Sequence, residues 1–94
     1  MLAAEREGQK IAVDIKSFVR GSPVSEFHTA LGQFINYRTI LADQEPERIL
    51  YLAIPADTCN SFFVLTTVQA IVKENRLKII VYNSRQETIS QWIS

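Results

Sequence analysis

Two short patterns in this chain carry residue types that can do chemistry. The first is Asp14-Ile15-Lys16, inside the apolar run Lys10–Phe18, KIAVDIKSF. Residues two apart on a strand point to the same side, so the Asp14 carboxylate and the Lys16 ammonium project together. A carboxylate can hold a hard divalent cation such as Mg²⁺. A neighbouring ammonium can orient a water or stabilise charge building on a phosphate. Metal-assisted cleavage of a phosphodiester uses both, and it normally needs a second carboxylate to fix the metal. The plainer reading of the pair is a solvated strand face with a weak ion pair. The second pattern is Gln33 and Tyr37, four positions apart and therefore on one side of a helix. Its plainer reading is the polar flank of an amphipathic helix.

These residues need a strand and a helix to hold them, and the sequence supplies both. Leu2 to Glu5 reads as a strand, Glu7-Gly8 as a tight turn, and Lys10 to Phe18 as its partner. In that hairpin Ile11, Val13 and Ile15 share one face, and Ala12, Asp14, Lys16 and Phe18 the other. A loop at Glu7-Gly8 places Glu5 opposite Lys10, on the face of Asp14, whereas a one-residue slip moves it to the other face. Ser22 and Pro23 suit a helix N-cap and first turn. The helix then runs to about Ala42 on a stripe of Phe27, Ala30, Leu31, Phe34 and Ile35. Ile49 to Ile54 is apolar throughout, as in a strand covered on both faces. Asp57 to Asn75 reads as helical in two pieces, interrupted at Thr66-Thr67. Leu77 to Tyr82 and Thr88 to Ile93 are the last strands. The order ββαβαββ predicts an α/β domain with parallel neighbours in a mixed sheet.

Composition narrows the class. Ninety-four residues, 47% hydrophobic and 21% charged, make one small domain, residues 1–94. Ten basic and ten acidic residues give no net charge, so the total argues neither for nor against a nucleic-acid partner. No apolar run is long enough to span a bilayer, and the start does not read as a signal peptide. The single cysteine, Cys59, forms no internal disulfide and fits a reducing cytoplasm. His28, the one histidine, reads as a helix-surface residue, and Trp92 as core packing or an edge contact. Arg38 and Arg48 are placed where they could meet a phosphate, although surface arginines are most often only solvated.

An Asp-x-Lys strand followed by a helix with Gln-x-x-x-Tyr resembles the PD-(D/E)XK nuclease superfamily. A closer resemblance, over essentially the whole chain, is to the XisH family, the fdxN-element excision controlling factors of cyanobacteria. It is carried by AAEREGQKIAVDIKSF, SPVSEFHTALGQFINYR, EPERILYLAIPADT, SFF and LKIIVYN. The blocks GQKIAVDIKSF and FHTALGQFINY are the distinctive ones. The resemblance implies a restriction-endonuclease-like fold and a role in programmed DNA excision during heterocyst development. It also implies a XisI-type companion and a separate recombinase.

By position, Asp14 and Lys16 would be the acid–lysine pair and Gln33 and Tyr37 the helix motif. Family members more often have Glu where this chain has Asp14, a longer side chain that would place a metal differently. In the family a helix and a strand bearing the first acidic residue come before the hairpin, so the chain is expected to be N-terminally shortened. Asp14 would then be the main Mg²⁺ ligand and Glu5 the substitute for the absent acid. Uncovered apolar surface would call for a homodimer or a partner chain. Three readings follow: an accessory excision factor that binds its partner and DNA, a Mg²⁺-dependent endonuclease, or an inactive relic of one.

Overall fold

The computed structural model describes residues 1–19 and 21–94. Its elements are β1 (Leu2–Arg6), β2 (Gln9–Ile15), α1 (Pro23–Gln44), β3 (Ile49–Pro55), α2 (Ala56–Ser61), α3 (Thr66–Glu74), β4 (Ile79–Asn83) and β5 (Thr88–Ile93). The five strands form one sheet in sequence order. β1/β2 and β4/β5 are antiparallel hairpins, while β2/β3 and β3/β4 are parallel. The parallel steps are made by α1 and by the α2–α3 pair. The element order is ββαβααββ, and the second helical region is two helices, in keeping with its reading in two pieces.

Local chemistry explains each boundary. Glu7 and Gly8 take φ of 50° and 83°, the two left-handed positions of a tight hairpin turn whose twist matches the strands. That turn fixes Glu5 opposite Lys10 and Arg6 opposite Gln9. β2 stops at Ile15, short of the expected Phe18. Phe18 takes φ of 56°, leaves the sheet, and sets its ring edge-on to Phe63 at 5.8 Å. The Ser22 hydroxyl caps α1, accepting from the Ser25 N–H at 3.5 Å, and Pro23 opens the first turn. The break between α2 and α3 falls just before Thr66-Thr67, because buried Phe62 and Phe63 turn inward and Thr66 starts α3. β4 starts at Ile79, later than expected. Buried Leu77 closes the end of α3, its N–H donating to Val72 while that of Arg76 donates to Lys73, the paired bonds of a Schellman cap.

The helices cover one face of the sheet. Phe27, Ala30 and Phe34 of α1 meet Leu50, Leu52 and Ile54 of β3 and Ile79 and Val81 of β4 in the main core. On the opposite face Ile11, Tyr51, Ala53 and Ile80 are buried without a helix above them. The sheet covers this face itself by curling. The Arg6 guanidinium of edge strand β1 lies 3.8 Å above the ring of Trp92 on the far edge strand β5. Trp92 also meets Tyr51 edge-on at 5.2 Å. The curl leaves an apolar hollow of about 370 Å³ lined by Val13, Ile15, Ala53, Tyr82, Ile89 and Trp92 among others. Among the described residues no helix is long and apolar enough to cross a membrane.

Phe34 is 1% exposed, at the centre of the main core. Phe34→Ala removes most of a buried ring and should lower the free energy of unfolding by about 3–5 kcal/mol, read from chemical denaturation. A loss below about 1 kcal/mol would mean that α1 does not pack on the sheet as described.

Candidate functional site

Asp14 is the one charged residue that is buried among those described, at 6% exposure. It sits there because β2 alternates: Ala12 and Asp14 face the helices, and Ile11 and Val13 face the hollow. Lys16 follows the strand's last residue but stays in register, its N–H donating to the Ala53 carbonyl at 2.9 Å. The Tyr82 hydroxyl approaches the Lys16 carbonyl from the other side at 3.5 Å, and partial burial pushes that hydroxyl's pKa up.

The Lys16 ammonium stands 3.6 Å from Asp14 Oδ1 and donates to Gln33 Oε1 on α1. The expected meeting of the acid–lysine pair with the helix glutamine is therefore present on the helix-covered side of the sheet. Asp14 Oδ2 is buried and has no hydrogen-bond partner among the described residues.

The other two candidates are not part of this group. Tyr37, one turn beyond Gln33, is half-buried against the main core, and among the described residues no hydrogen bond ties it to Lys16. Glu5 does share the face of Asp14, but its partner is Lys10. Lys10 is four residues before Asp14, which puts Glu5 about 13 Å away along the strand at ~3.3 Å per residue. Two carboxylates that far apart do not share a metal, so Glu5 is not a second ligand beside Asp14.

A second acid, on α1, also carries a buried oxygen but lies outside this group. Glu26 is seven positions before Gln33, two turns up the same flank of α1. Its Oε2 is also buried and unpartnered.

The donor set is a poor fit for a resident Mg²⁺. The orphaned Asp14 Oδ2 could accept a cation, but the carboxylate's other oxygen already faces an ammonium. Among the described residues no three acids, histidines or cysteines gather closely enough to hold a metal. The side chains themselves can hold one buried negative charge beside one half-buried positive charge, and can dock α1 on β2.

The description "XisH protein" matches residues 1–90. The chain belongs to the XisH family. Two solved structures share the fold with a TM-score of 0.94. One is an XisH family protein from Nostoc punctiforme, 56% identical, with 98% of this chain matched to 73% of that one. The other is an fdxN element excision controlling factor protein from Anabaena variabilis, 57% identical, with 98% matched to 72%. No curated protein matches the chain. The XisH blocks quoted from the sequence thus coincide with the β1–β2 hairpin, α1, β3 and β4.

Lys16→Met leaves the Asp14 charge buried without its counter-ion. It should destabilise the chain by about 1–3 kcal/mol, less than for a fully buried pair because Lys16 is partly exposed. Adding Asp14→Asn should recover part of that loss. Denaturation of Lys16→Met, Asp14→Asn and the double variant, read as a double-mutant cycle, checks the coupling, and additive effects would show that the pair does not interact.

Proposed function

We propose that this chain is an accessory factor in the site-specific excision of a DNA element, working with a XisI-type companion and a recombinase. Its fold derives, in this reading, from a PD-(D/E)XK nuclease, and it acts by binding its partners and DNA without cutting. The observation that carries this is the engagement of Lys16. Its ammonium is shared between Asp14 and Gln33, and Asp14 is the group's single carboxylate, so the pair serves to hold α1 in place. The excision-factor description of the Anabaena variabilis relative supports the process. The apolar hollow, rimmed by Ile15 and Ile89 at 50% and 51% exposure, supports a protein partner or a second copy that shields it.

A second reading, a Mg²⁺-dependent endonuclease using Asp14 and Lys16, draws on the orphaned Asp14 Oδ2. It needs an acid that Glu5 cannot supply. The two are separated by incubating the purified chain with supercoiled plasmid in Mg²⁺ or Mn²⁺, beside Lys16→Ala. We expect intact plasmid in every lane, and capture of the companion by the tagged chain. Nicking that disappears in Lys16→Ala would establish the endonuclease instead.

A further inference from the structure

Charge on this neutral chain is unevenly placed. Arg38, Arg48, Lys73, Arg76 and Lys78 are five of its ten basic residues, and all five line two adjoining cavities on the side of α1 away from Lys16. The larger, of about 1030 Å³, takes Arg38, Lys73, Arg76 and Lys78. The smaller, of about 170 Å³, takes Arg38, Arg48, Arg76 and Lys78. Three residues are common to both, so the cations form one continuous band. No Asp or Glu lines either cavity. Among the described residues, only Arg48 of the five has an ion-pair partner, Glu45 at 3.0 Å.

Local structure holds this band in place. Arg38 comes five residues after Gln33, about 140° further round α1. It therefore leans away from β2 and donates to the carbonyls of Asn75 at 2.7 Å and Arg76 at 3.4 Å. That docks the end of α3 beside α1. Arg76 occupies the left-handed position of the Schellman cap, with φ of 52°. Glycine is the favoured residue there, and any side chain is strained. The chain nonetheless places a guanidinium at the junction of the two cavities.

We propose that this band is a binding surface for the phosphodiester backbone of DNA, on the opposite flank of α1 from the Asp14–Lys16 group. Arginine forks and lysine ammoniums match phosphate oxygens, and a run of cations in which only Arg48 meets an acid among the described residues suits a linear polyanion. Contacts of this kind are sequence-independent and salt-sensitive. The inference rests on the reading of the chain as an excision factor that touches DNA, and adds which surface does so.

The test measures binding of a labelled ~20-base-pair duplex by fluorescence anisotropy across a salt series. Lys73→Glu with Arg76→Glu is compared with the intact chain and with Lys10→Glu plus Arg85→Glu, an equal charge change off the band. The band variant should bind at least ~10-fold more weakly, with a salt slope smaller by about 2, while the control keeps most of the affinity. Arg76→Gly should also weaken binding yet melt at or above the temperature of the intact chain, which a merely structural role for Arg76 would not produce. Equal weakening by band and control variants would overturn the assignment and leave the accessory function standing. So would capture of poly-glutamate but not DNA, which would make the band a site for an acidic protein segment. The plasmid assay, by contrast, judges the accessory reading whatever the band does.

Discussion

A carboxylate buried in the face of a sheet is costly unless a cation and hydrogen bonds meet it, and Asp14 imposes that condition here. Lys16 supplies the cation, and its ammonium reaches on to Gln33. The consequence is rotational. With Gln33 turned toward β2, the 3.6-residue repeat points Phe27, Ala30 and Phe34 at the sheet and swings Arg38 toward α3. The Lys16–Gln33 contact and the buried stripe agree on one orientation of this 22-residue helix on the sheet, and that orientation decides which side chains each flank presents.

The two flanks then differ in kind. On the β2 side a single acid and a single lysine neutralise each other against an amide. On the α3 side cations line two joined cavities with no acidic side chain among the lining residues. A nuclease would bring metal, lysine and DNA to one place. In this chain the residues that resemble the catalytic pair and the residues suited to phosphate lie on opposite sides of the same helix. That separation fits the accessory reading proposed above.

Much of this was legible in the sequence because it is local. Period-two alternation gave the faces of β2, and the Glu7-Gly8 turn set the hairpin register that pairs Glu5 with Lys10. Ser22-Pro23 marked the start of α1, and four-residue spacing put Gln33 and Tyr37 on one flank, of which Gln33 meets Lys16 and Tyr37 does not. What was not legible depends on distance in space. Sharing a face suggested that Glu5 could assist Asp14, but the strand's rise per residue separates them. The inward turn of Phe62 and Phe63, which moves the helix break ahead of Thr66, follows from a core built by four aromatic rings from three segments. The basic band draws on α1, α3 and the starts of β3 and β4, and no window of sequence shows those together.

The stacking of Arg6 on Trp92 joins the first strand to the last, across nearly the full length of the chain. Contacts between such distant residues carry the largest loop-closure entropy, so they form only after the local hairpins and helices have brought the edges near. The seam is also held by one half-buried cation–aromatic contact and one ring edge, whereas the helical layer rests on a densely packed interior. Parting β1 from β5 would break the Arg6–Trp92 contact and leave the helical core untouched, so the seam and not the main core sets how wide the apolar hollow stands.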